Sequence, residues 1–230
     1  SVLMPLETLQ LSLESYKDSG YLPEAMVNYL ALLGWSPSDG REIVTIEEMI
    51  SEFDIHNVNH SGAIFDVKKL EWMNGEYLRA IPTSELIERL KPEAQIRFTD
   101  AINEELFERA VTLAQPRATT TNSMIDQMSC LFGSNLTLSQ DLILQLKENP
   151  DSLKVLDAVE NHLENCDWNV ESIDLRELVA SIDLKPRKAL PIVYIAIEMA
   201  TSGLPLFDVI HMIGRDEALN RIRKAKAEIG

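Results

Sequence analysis

The chain has 230 residues, 45% of them apolar, and a formal net charge of −16 from 37 acidic and 21 basic side chains. No apolar run approaches the roughly 20 residues of a membrane span and no charged-then-apolar leader is present, so a soluble chain with ample core is expected. Residues 1–90 hold 15 acidic and 6 basic side chains and residues 91–230 hold 22 and 15, so a broad basic face for phosphates is excluded and any such face must be local.

In chain order the periodic segments read as helices. In Tyr21–Trp35, YLPEAMVNYLALLGW, the residues Leu22, Ala25, Met26, Tyr29, Leu30 and Leu33 recur at i, i+3, i+4 and i+7. Pro23 suits the first turn, where its missing N–H costs nothing, and Gly34 suits a left-handed closing position. Thr45 and Glu48 have capping-box spacing and open a helix through Met49, Ile50 and Phe53. Residues 54–65 read as a loop broken by Asn57, Asn59, Ser61 and Gly62. Asp66 then caps a helix carrying Leu70, Met73 and Tyr77. Gly75 inside that helix costs about 1 kcal/mol against alanine, which points to a packing reason. Pro82 precedes a helix at Ser84–Leu90.

Further helices are expected at Thr99–Leu113, Ser123–Phe132 and Leu138–Lys147, the last with a Thr137 to Gln140 capping-box spacing. Ser152–Cys166, Ser172–Ile182, Ile192–Thr201 and Leu206–Ile213 follow, then a final helix from Asp216. Alternating strand patterns and repeats are absent, so the fold class is all-α, with breaks near Pro82 and Gly133-Ser134. Trp35 and Trp72 are both expected to be buried.

Little catalytic chemistry is visible. The sequence has no Gly-rich phosphate loop, no nucleophile beside a base and no assignable carboxylate pair. Cys130 and Cys166 read as reduced core thiols. His56 and His60 read as surface residues, and His162 and His211 add no metal-ligand spacing.

Three stretches carry a family resemblance. YKDSGYLPEAMVNYLALLGWS (residues 16–36) and HSGAIFDVKKLEWMNGEYLR (residues 60–79) resemble, in order and spacing, the region after the KMSKS-type loop of bacterial glutamate–tRNA ligases. LPLFDVIHMIGRDEALNRI (residues 204–222) is similar to that family's C-terminus, in a degenerate form. The chain thus resembles the C-terminal half of a class I glutamate–tRNA ligase. The resemblance implies a helical stem-contact bundle at 1–81, a first helical anticodon-binding subdomain at 82–134 and a second at 135–230.

It also implies site residues. VTLAQPRATTTNSMIDQMSCLF (residues 111–132) resembles the family segment that places Arg117 on the arginine reading the third anticodon base, and a planar five-donor fork suits a base edge. Leu206 matches a leucine near the first anticodon base. Lys185, Arg187 and Lys188, with Arg221, Arg223, Lys224 and Lys226 of the last helix, are the candidate phosphate contacts. The implied partner is tRNA(Glu), bound by a monomer in the cytoplasm or an organelle matrix, with no membrane contact. No catalytic residue, metal or cofactor is expected in this chain. ATP and Mg belong to a catalytic domain outside it, and the parent polypeptide is a glutamate–tRNA ligase.

The family pattern is also departed from. Met4, Pro5, Leu6 and Glu7 stand where the lysine-rich KMSKS-type loop belongs. Tyr194 stands in place of an arginine, and Glu198-Met199 in place of a Thr-Gly pair. The alternative these departures keep open is a non-aminoacylating relative, retained as a structural or protein-interaction subunit in a larger assembly.

Overall fold

The computed structural model describes residues 13–58, 64–98, 102–133 and 136–230. Met4–Glu7, the loop residues Asn59, His60, Ser61 and Gly62, the expected helix start at Thr99, and Ser134 lie outside the described residues. The described residues form α-helices with a single 3-10 turn and no strand, as the all-α expectation requires. None of these helices is long and apolar enough to cross a membrane.

The described residues fall into two compact units that do not follow breaks at 81/82 and 134/135. The first takes those of Ser1–Ala94 with Ala114–Asp126, and the second takes Gln95–Leu113 with Gln127–Gly230. The helices are α1 (Leu13–Asp18), α2 (Pro23–Gly34), α3 (Ile46–Glu52), α4 (Val67–Ala80), α5 (Thr83–Arg97), α6 (Glu104–Ala114) and α7 (Thr121–Phe132). They continue with α8 (Gln140–Glu148), α9 (Ser152–Asn165), α10 (Val170–Ile173), α11 (Arg176–Ser181), α12 (Pro186–Glu198), α13 (Leu206–Ile213) and α14 (Arg215–Ile229).

Local chemistry accounts for most boundaries. The Thr45–Glu48 box is formed: Glu48 N donates to Thr45 Oγ1 at 3.2 Å, and Thr45 N donates to Glu48 Oε2 at 2.8 Å. Asp66 Oδ1 accepts from the N–H groups of Lys68 at 2.9 Å and Lys69 at 3.2 Å, capping α4 as read. Elsewhere the boundaries shift. At α8 the cap is Ser139, whose hydroxyl accepts from Leu142 N at 3.3 Å, so the Thr137 box is not used. Helix α5 runs through Pro92 instead of stopping at Leu90, because Leu86, Ile87, Leu90 and Ala94 keep one buried stripe and outweigh the lost hydrogen bond. The expected Ser172–Ile182 helix splits at Asp174, which accepts from Arg176 N at 2.9 Å and starts α11. Helix α12 begins early at Pro186, a favoured first-turn residue.

In the first unit, α2 packs on α4 around Met26, Tyr29, Leu70 and Met73. The Tyr29 ring meets Phe65 edge-on at 5.0 Å, and its hydroxyl accepts from Asp66 N at 2.6 Å. Trp35, Val44 and Met49 form an adjoining cluster. In the second unit, α14 packs against α8, α9, α12 and α13, and Leu156, Val159, Leu163, Ala218, Ile222 and Ala225 are all buried.

Trp35 is 4% exposed, as expected, but Trp72 is 42% exposed. Trp72 sits two residues from the buried Leu70, roughly 200° around the helix, so it points away from the core face of α4. Leu30 is likewise exposed on α2. Trp35→Ala is therefore expected to cost about 3–5 kcal/mol, as large core truncations do. Trp72→Ala is expected to cost under about 1 kcal/mol. Denaturant midpoints of the two variants measure the difference.

Candidate nucleic-acid interface

Arg117 lies in the turn that leaves α6, with its side chain exposed and its backbone N–H donating to Ala114 O at 3.0 Å. The turn is anchored on both sides within the first unit. Before it, the buried Gln115 amide donates to Leu78 O at 2.9 Å, in the last turn of α4, and to Ile81 O at 2.8 Å, just past its end, and accepts from the Thr83 hydroxyl at 2.7 Å. After it, Thr119 O accepts from the side-chain amide of Asn74, and Thr121 N donates to Gly20 O at 3.0 Å. Asn122 Nδ2 also donates to Asp18 O at 2.6 Å. Thr120 and Ser123 exchange side chain–backbone bonds at 3.1 and 3.2 Å and start α7 two residues earlier than read.

Two glycines permit this arrangement. A Cβ on Gly75 would stand 3.2 Å from Ala118 O, beside Arg117, and 3.1 Å from the Arg79 guanidinium. Gly20 has φ +82°, and a Cβ there would lie 2.6 Å from both Asn122 N and Thr121 Oγ1. The Gly75 expectation of a packing reason is thereby met. Sequence reasoning missed Asn74 and Gln115. Asn74 carried a signal, since it is an amide beside Met73 on the helix face that buries Leu70 and Leu78, where an apolar residue would otherwise stand.

Leu206 is 3% exposed at the first position of α13. It is a core residue, and the expected contact with an anticodon nucleotide is corrected on that ground. Arg221 is corrected too. Its side chain is 6% exposed, with Nη1 donating to Cys130 O at 2.9 Å and Ile197 O at 2.7 Å, and Nε to Glu217 at 2.7 Å. A guanidinium buried against the last turns of α7 and α12, with Nε and both Nη1 hydrogens already committed, is poorly placed to meet a phosphate.

Arg223 and Lys226 reach the surface but are ion-paired. Arg223 meets Glu160 and Glu164 at 2.6 Å each, and Lys226 meets Glu160 at 2.7 Å and also Asp157. Hydrogen bonds from Lys226, then Arg223, hold the Glu160 carboxyl below its ordinary range. Lys224 is exposed on the same helix. Lys185, Arg187 and Lys188 are exposed at the start of α12, whose first turn has no acidic residue.

At the departures from the family pattern, the Tyr194 hydroxyl donates to Leu204 O at 3.2 Å. Glu198 is buried, and its Oε2 accepts from Leu204 N at 3.1 Å. Met199 closes α12 in the left-handed region, φ 55°, where a glycine is the unstrained choice. These three residues brace the segment before α13. Cys130 is buried and its thiol is pushed up by burial, then by Glu198, as befits an inert thiol. Cys166 is also reduced but only half-buried. Among the described residues no group of His, Cys, Asp and Glu could hold a metal, and His56 is exposed as read.

Two measurements follow from these ion pairs. Arg221→Met orphans two buried carbonyls and is expected to cost on the order of 3 kcal/mol by denaturant unfolding. Because the Glu160 pKa is lowered by folding, its stabilisation is complete above the unfolded value of about 4.3 and is lost as pH falls through the folded value. Glu160→Gln should therefore lower the thermal midpoint at pH 7, and the gap to wild type should close as pH falls below the folded value.

Comparison with known proteins is consistent with this geometry. The model of the anticodon binding domain matches residues 85–226, and that of the class I (E and Q) tRNA synthetase catalytic domain matches residues 7–72. A glutamate–tRNA ligase of Acidothermus cellulolyticus is 36% identical over 92% of this chain and 44% of its own length. One of Corynebacterium efficiens is 37% identical over 95% of this chain and 46% of its own. A solved glutamate–tRNA ligase of Elizabethkingia meningosepticum superposes with a TM-score of 0.74 at 27% identity, covering 94% of this chain and 43% of that one. The chain thus spans a little under half the length of these relatives. With 142 of its residues, 85–226, matched, the chain belongs to the anticodon binding domain family, and it corresponds to the C-terminal half of a bacterial-type glutamate–tRNA ligase.

Proposed function

We propose that this chain docks the anticodon arm of tRNA(Glu) and that Arg117 reads the third anticodon base, while glutamate activation with ATP and Mg is the work of a catalytic domain in the longer polypeptide. The observation that carries the reading is an exposed arginine on a turn anchored at both ends, inside a region matched by the anticodon binding domain. A planar guanidinium can pair bidentately with a base edge, which a lysine cannot do. Lys185, Arg187, Lys188 and Lys224 supply the phosphate contacts. The first three gather at a helix N-terminus, where the dipole gives cations no stabilisation and favours an anion beside them.

A second reading has a specific observation in its favour. Arg221 is buried and Arg223 and Lys226 are ion-paired, so the last helix offers little to phosphates. A chain of charge −16 in that state also fits a structural subunit whose partner is protein.

Anisotropy titration of labelled tRNA(Glu) over a salt series separates the two. If four cations each neutralise one phosphate, log K should fall against log salt with a slope of about 3. Arg117→Ala should cost roughly 1–3 kcal/mol with the cognate anticodon and much less when the third base is altered. Substituting Lys185, Arg187 or Lys188 should weaken both tRNAs alike. The absence of saturable binding at low salt would overturn the tRNA reading in favour of the protein scaffold.

A further inference from the structure

Arg117 is one residue in a turn whose backbone is tied to α4 and its exit by buried side-chain amides. Asn74 is 0% exposed on α4. Its Oδ1 accepts from Leu22 N at 2.7 Å, at the entry to α2, and its Nδ2 donates to Thr119 O, two residues after Arg117. Only a carboxamide offers an acceptor and a donor at that spacing: a carboxylate could not donate to Thr119 O, and leucine could do neither. Gly75, the next residue, brings the helix backbone against Ala118 O, where a Cβ would stand at 3.2 Å. Gln115 fixes the other side of the turn through the carbonyls of Leu78 and Ile81. Residues on both sides of Arg117 are thus tied to α4.

We propose that Asn74, with Gln115 and Gly75, is the positioning device for Arg117: it holds the backbone of residues 115–121 so that the guanidinium is presented in one place before tRNA arrives. The inference rests on the reading of Arg117 as the anticodon contact. Base discrimination by a bidentate fork depends on its placement, and an arginine on a loosened turn retains its charge while losing the fixed geometry that tells one base from another. Loosening the turn should therefore reduce selectivity more than affinity.

The readout is the ratio of dissociation constants for tRNA(Glu) transcripts with altered and cognate third anticodon bases, measured on the 230-residue chain. Partial unfolding removes binding sites for both transcripts equally, so it leaves the ratio unchanged. Arg117→Ala should reduce the ratio by about tenfold. Asn74→Ala should reduce it by about fivefold or more and speed amide exchange across residues 116–121. Since Asn74→Ala leaves Leu22 N and Thr119 O without their bonds, Gly75→Ala is the second variant. It improves helix propensity while pressing on Ala118 O and breaks no hydrogen bond, so the ratio should fall about two- to fivefold with a smaller change in thermal midpoint than Asn74→Ala causes. In an Arg117→Ala background neither substitution should change the ratio by more than about twofold. If Arg117→Ala lowers the ratio while Asn74→Ala and Gly75→Ala do not, the positioning role is overturned and the reader stands. Undiminished losses in the Arg117→Ala background overturn it equally, since the effect then does not pass through Arg117. If Arg117→Ala itself leaves the ratio unchanged, the anticodon-reader role falls first and the positioning role with it.

Discussion

The first unit depends on one buried side-chain amide. Asn74 joins three segments that are far apart in sequence: its own helix, Leu22 at the start of α2, and Thr119 after α6. A second buried amide, Asn28, does similar work, accepting from Val44 N at 3.0 Å and from the Tyr77 hydroxyl at 2.9 Å. Each replaces water for backbone groups that would be costly to bury alone. Apolar packing among Met26, Tyr29, Leu70 and Met73 supplies non-directional stabilisation. The amides supply direction, because their bonds form in one register of α2 on α4. The close approach at Gly75 and the anchored turn around Arg117 follow from that register.

What was legible in the sequence divides along the range of the interaction. Several signals that act within a few residues were read correctly, such as the Thr45–Glu48 box, the Asp66 cap and the span of α13, whereas the Thr137 box is not used and Gly34 ends α2 without the left-handed φ expected of it. Trp72 was misread because residue type was given more weight than helical angle; its spacing from Leu70 already placed it off the core face. Arg221 had no such local clue. Its burial is set by carbonyls 91 and 24 residues away in sequence, and four cations in RIRKAK look like a solvated face until those partners are known. Arg117 was reached through family resemblance, whereas the residues that hold its turn were not reached at all. Asn74 and Gln115 act through backbone groups remote in sequence, which a spacing pattern does not encode.

The cations of the last helix, α14, are largely consumed internally. Arg223 and Lys226 share Glu160, while Glu164 and Asp157 complete the cluster, so α14 is tied to α9 by ion pairs. Exposed pairs of this kind contribute little each, but a shared carboxylate makes a network that fixes one helix against the other. Those cations are then poor phosphate ligands, since each would have to leave a carboxylate to meet a phosphate. The net charge of −16 therefore coexists with a short local basic stretch at Lys185, Arg187 and Lys188 and with the exposed Lys224. With few phosphates to neutralise, counterion release can contribute only modestly to affinity. A larger share of selectivity must then come from directional contact with bases. That places more weight on how firmly Arg117 is held than on how many cations surround it, and the buried Asn74 amide is where the sequence supplies that firmness.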